Sequence, residues 1–110
     1  MNSITVCGRL GADPVLRQLG ESQVADFRFA ESVWNGKESE TIWYRVCVWG
    51  KRAESIAAHL KKGDKATVIG ELRQRSFTDR NGVERTSLEI RAGAVDFGGQ
   101  GGSKEDELPF

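Results

Sequence analysis

Ile4, Val6, Gly8 and Leu10 alternate with Ser3, Thr5, Cys7 and Arg9, a period of two that predicts a half-buried β-strand. Gly11-Ala12-Asp13-Pro14 ends it. A second strand is predicted over Val24 to Trp34, with Phe27, Phe29 and Val33 on one face, Arg28, Ala30 and Trp34 on the other, and the turn dipeptide Asn35-Gly36 beyond. In a third, Thr41 to Trp49, the even positions Ile42, Tyr44, Val46 and Val48 oppose the odd positions Trp43, Arg45, Cys47 and Trp49. After Gly50 the period changes. Ala53, Ile56, Ala57 and Leu60 form one stripe of a short helix, closed by Lys61-Lys62 at the negative end of its dipole and by Gly63. Ala66, Val68, Gly70 and Leu72 resume alternation as far as Phe77. Asn81-Gly82 then marks a hairpin loop into a last strand with Leu88, Ile90, Ala92 and Ala94 on one side.

The chain is therefore expected to be all-β with one short helix between its third and fourth strands. That order fits the OB-fold, a five-stranded Greek-key barrel whose exposed face and loops hold oligonucleotides or oligosaccharides.

A length of 110 residues fits one domain and excludes a multidomain enzyme. The 16 Lys and Arg cancel the 16 Asp and Glu overall, but residues 1–97 carry 15 bases against 13 acids, leaving residues 98–110 acidic. Gly98, Gly99, Gly101 and Gly102 crowd into five positions, so residues 98–104 are expected to be a flexible linker. Beyond the barrel of residues 1–97 the chain then ends in a short disordered tail with an acidic tip, residues 105–110. No apolar run approaches the ~20 residues that span a bilayer, and the N-terminus lacks the regions of a signal peptide. The expectation is a cytoplasmic protein with no membrane partner.

Cys7 and Cys47 lie forty positions apart beside a single histidine, which is neither a disulfide framework nor a metal-ligand spacing. Both are expected to be small buried hydrophobes. His59 stands mid-helix without a partner suited to nucleophilic or metal chemistry. Gly8-Arg9-Leu10-Gly11 lacks the context of a phosphate-binding loop. No catalytic, metal or cofactor site is expected, and the chain does not read as an enzyme.

The candidate chemistry is in where the aromatics point. If the even positions of the third strand face the core, the pleat throws Trp43, Arg45 and Trp49 outward. The same parity places Arg28 and Trp34 outside on the second strand, and Arg73, Arg75 and Phe77 outside on the fourth. A lone strand arginine is usually just solvated, and an outward ring can be covered by a second layer or a subunit. Their coincidence on three strands is what sequence-tolerant binding of single-stranded nucleic acid requires: rings stack on any base while arginines follow the phosphates. Stacking alone does not separate DNA from RNA.

Gly8-Arg9-Leu10-Gly11-Ala12-Asp13-Pro14, Trp43-Tyr44-Arg45-Val46-Cys47-Val48-Trp49-Gly50-Lys51, Lys61-Lys62-Gly63-Asp64, Gly70-Glu71-Leu72-Arg73 and Leu108-Pro109-Phe110 resemble the bacterial-type single-stranded DNA-binding proteins of replication. The resemblance implies a nucleoid-associated OB-fold that pairs through its first strand, assembles into a homotetramer, and binds single-stranded DNA in replication, recombination and repair. It implies stacking by Trp34, Trp43, Trp49 and Phe77, and phosphate contacts by Arg45, Lys51, Lys62, Arg73 and Arg75. The tip, with Asp106, Glu107, Leu108, Pro109 and Phe110, would recruit replication and repair proteins. Trp49 stands where relatives often have phenylalanine, Phe77 where tryptophan is common, and Tyr44 where histidine is frequent, a change that bears on subunit contacts. The alternative is a primosome-type adaptor that bridges proteins more than it covers DNA; all four aromatic positions being kept argues against it.

Overall fold

A computed structural model describes residues 1–97. The elements are β1 (Ile4–Leu10), β2 (Val15–Leu19), β3 (Ser22–Trp34), β4 (Ser39–Trp49), α1 (Lys51–His59), β5 (Lys65–Thr78) and β6 (Glu84–Asp96). They form one sheet of order β1-β5-β6-β4-β3-β2, in which β4 and β6 run parallel and the other neighbours antiparallel. Strand β1 also pairs with β3 through Arg9 opposite Ala30 and Leu10 opposite Phe29, closing the sheet into an OB-fold barrel. Residues 98–104 and the tip residues Asp106, Glu107, Leu108, Pro109 and Phe110 lie outside the described residues.

The five expected strands are β1, β3, β4, β5 and β6; β2 is an addition. Val15, Leu16 and Leu19 do not alternate with the period of a strand, and every residue of β2 is exposed. Pairing with β3 over Val15 opposite Asp26 to Leu19 opposite Ser22 makes it a strand, so no burial pattern marked it in the sequence.

Alternation otherwise sets the inside. Val6, Leu10, Phe27, Phe29, Tyr44, Val46, Val48, Ala66, Val68 and Ile90 form the core, with Ala53, Ile56 and Leu60 of the helix stripe added to it. Each fully buried Val, Ile or Phe contributes about 1.5–3 kcal/mol. The Tyr44 hydroxyl donates to Glu31 Oε1 at 2.8 Å, and burial, then this bond, pushes the phenol up to about 12. Its ring thus belongs to the core of its own barrel.

Two expectations need correction. Gly70 pairs with Ala92 but Ile69 with Ala94, so Gly93 is an extra residue in β6. Beyond such a bulge the inward set changes parity. Val95, opposite Val68, and Phe97 therefore pack against the core, while Ala94 turns to the side of exposed Ile69. Neither cysteine is fully buried: Cys7 is exposed, with Sγ 3.5 Å from Thr67 Oγ1, and Cys47 is half-buried.

Barrel closure depends on Gly8. A Cβ there would stand 2.2 Å from the Ala30 carbonyl oxygen and 3.0 Å from its carbon, which are backbone atoms of the strand that β1 crosses. Gly8→Ala is expected to lower stability by about 1–3 kcal/mol, read as a reduced denaturation midpoint. An unchanged midpoint would show that the β1–β3 contact carries no part of the closure.

Candidate nucleic-acid interface

The pleat places the predicted aromatics outward. Trp43 is 46% exposed, Trp49 43%, Trp34 66% and Phe77 46%, so none is buried within this chain. On β4, Trp43 and Trp49 are six residues apart, about 20 Å at the rise of a strand. Trp34 lies on the same face, four residues along β3 from Ala30, which is the partner of Trp43.

Trp43 is seated. The Arg28 guanidinium carbon lies 4.8 Å from the centroid of its ring, a cation–π contact. A Cβ on Gly11 would come within 2.5 Å of a ring carbon, so the glycine leaves the indole its space. Arg28 is also directly opposite Arg45, an arrangement that repels unless compensated. The Trp43 ring takes one guanidinium, and Asp26 lies 3.6 Å from the other. Ala12, Asp13, Trp43 and Arg45 line one open groove. Asp13 Oδ1 accepts the Lys62 backbone N–H at 2.8 Å, which brings the loop carrying Lys62 to the groove's rim.

Arg73, Arg75 and Phe77 lie where β5 has left β1. The β1–β5 ladder runs from Arg9 opposite Lys65 to Ile4 opposite Gly70, and the Asn2 side chain extends it by one step. It donates to the Leu72 carbonyl at 3.0 Å and accepts the Leu72 N–H at 2.7 Å. Beyond Leu72, β5 pairs only with β6. Its tip is ordered by Asp79, whose Oδ1 accepts the N–H groups of Asn81 and Val83 and whose Oδ2 accepts Arg85 Nε at 2.7 Å. Arg85, then these backbone bonds, hold that carboxyl below its usual range. Phe77 stands opposite Arg85.

Trp49 lines a second groove with Lys51, and here the structure adds residues that the sequence reading omitted: Arg52 and Arg91 line it too. Arg91 was within reach of the parity argument, since it alternates with Ile90 and Ala92; Arg52 follows Lys51 at the start of α1. The ten predicted residues thus fall into a Trp43 groove, a Trp49 groove, the β5–β6 arm and Trp34, rather than into one pocket.

The face also holds acids. Besides Asp26, which pairs with Arg17 at 2.5 Å, Glu71 lies 3.4 Å from Arg73 and Glu89 lies 3.6 Å from Arg75. Among the described residues no three His, Cys, Asp or Glu side chains gather to hold a metal ion, and no helix is long and apolar enough to cross a membrane.

Cys47, opposite Asp26 on this face, has its thiol pushed up to about 11 by burial first and by the Asp26 carboxylate second. Because the thiolate is the nucleophile, alkylation of Cys47 in a Cys7→Ser variant should rise about tenfold per pH unit from about pH 8 to about pH 10. A plateau near pH 9 would contradict the environment described.

A family model, the single-strand binding protein family, matches residues 1–98. A curated relative, single-stranded DNA-binding protein 1 of Xylella fastidiosa (strain 9a5c), is 36% identical over 99 residues, covering 84% of this chain and 73% of its own length. The crystal structure of a small single-stranded DNA-binding protein from Streptomyces coelicolor superposes with a TM-score of 0.78 at 27% identity, covering 87% of this chain and 93% of the other. With the barrel topology and an outward face of rings and guanidiniums established independently, this chain belongs to the single-strand binding protein family.

Proposed function

We propose that this chain binds single-stranded DNA without regard to sequence and protects it during replication, recombination and repair, with no enzymatic step. One observation carries the reading: Trp43, half-exposed on a doubly paired strand, is held under the Arg28 guanidinium beside Arg45. A rigid ring presents a π-face that any unpaired base can stack on, and neighbouring cations follow the backbone. The similarity to proteins named for single-stranded DNA binding supports the same substrate.

In this reading Trp34, Trp43, Trp49 and Phe77 are stacking positions, and Arg28, Arg45, Lys51, Lys62, Arg73 and Arg75 contact phosphate, with Arg52 and Arg91 added near Trp49. The working form is a homotetramer acting in the cytoplasm on the nucleoid. Residues 98–104 link the barrel to a tip in which Asp106, Glu107, Leu108, Pro109 and Phe110 dock replication and repair proteins.

Intrinsic tryptophan fluorescence should be quenched strongly by oligo-dT and weakly by duplex DNA, because stacking needs unpaired bases. Equal affinity for the two forms would sink the proposal. Trp43→Ala and Trp49→Ala should each lose about 1–3 kcal/mol of binding per stacked base while keeping the denaturation midpoint. Arg45→Ala should weaken oligo-dT, oligo-dC and mixed sequence alike and flatten the log K against log salt slope by about 0.7. For the tip, deletion of Phe110 should abolish pull-down of replication and repair proteins and leave oligo-dT affinity in place; undiminished recovery would refute docking.

A further inference from the structure

Glu89 sits in the middle of the proposed phosphate track. It is directly opposite Arg45 across the parallel β4–β6 pair and directly opposite Arg73 across the antiparallel β5–β6 pair. Its Oε2 is 3.6 Å from Arg75 Nε, and its side chain is only 16% exposed. Glu89 therefore has an arginine as its ladder neighbour on each side, and the ion pair it makes is with Arg75. Arg45 also lies near Asp26, which it shares with Arg17, and Arg73 near Glu71, so the arginine that Glu89 itself holds is Arg75.

We infer that Glu89 is a built-in competitor for DNA phosphate, an internal anion that holds Arg75, with Arg45 and Arg73 as its ladder neighbours, until a phosphate displaces it. The inference rests on the single-stranded DNA reading and deepens it. A displaced carboxylate must regain a counter-cation from solution, so the exchange offsets part of the cation release that drives binding to a polyanion. It weakens each contact and speeds dissociation, which suits a protein that must yield its strand to other machinery.

Glu89→Gln keeps the shape and removes the charge. Oligo-dT binding should tighten about two- to fivefold, the range of an exposed ion pair, chiefly through slower dissociation, and the salt slope should steepen. Glu84→Gln makes the same charge change on the opposite face of β6 and serves as the control. Weaker binding by Glu89→Gln, or a gain no larger than that of Glu84→Gln, overturns the inference, because Glu89 would then only position the arginines. If Glu89→Gln fails to fold, Glu89→Asp decides: the shortened carboxylate should loosen its hold on Arg75 and raise affinity, and unchanged or lower affinity overturns the inference. A wild-type protein that binds no oligo-dT would overturn both readings, whereas wild-type binding with no gain in the variants overturns this one alone.

Discussion

The pleat of β4 is the constraint on which the rest depends. Bonded to β3 on one side and β6 on the other, β4 cannot slip by one residue without breaking two ladders. Such a slip would also carry Tyr44, Val46 and Val48 out of the core and bring Trp43, Arg45 and Trp49 in. The apolar half of the strand therefore holds the outward half, with Trp43, Arg45 and Trp49, in place. Burial of Val46 and Val48 is at once a stability term and the reason Trp43 and Trp49 are exposed.

Exposing two tryptophans and several arginines on one sheet creates a second problem, which local contacts solve. Arg28 and Arg45 oppose each other, yet one lies over the Trp43 ring and the other near Asp26. Arg73 and Arg75 each have a carboxylate within 4 Å. Arg45, Arg73 and Arg75 thus each have a carboxylate nearby, and surface pairs of this kind add little to folding. On the proposed reading, these partners are weak enough to be exchanged for phosphate.

Much of this was legible in the sequence because period-two alternation reports burial, and burial decides which side a residue faces. It identified five strands, the helix stripe through Ala53, Ile56 and Leu60, and the outward rings. Three features escaped it for physical reasons. Strand β2 has no buried residue, so its ladder with β3 leaves no alternating burial pattern. The bulge at Gly93 reverses parity, and parity counted through Ala94 gives the wrong side. Cys7 lies on the outward phase of β1, where its average preference for burial has no bearing. Side-chain networks such as Tyr44 with Glu31, or Asn2 with Leu72, join residues distant in the chain and have no sequence signal.

The distribution of the candidate site follows from the barrel. A compact pocket would need its groups on one strand end or one loop cluster, whereas here the rings are spread along β3, β4 and the β5–β6 arm. On the proposed reading, bases stacked on Trp43 and Trp49 would be separated by about 20 Å of strand, so the strand bound would have to be long and its intervening nucleotides held by cations rather than rings. Arg45 lies between those two tryptophans on the same face, and Arg91 stands opposite Cys47 one step further on. A short nucleotide could use only one of these stations. In that reading affinity would be built from the length of the strand bound: no single station would have to recognise its base, because several would act on one chain.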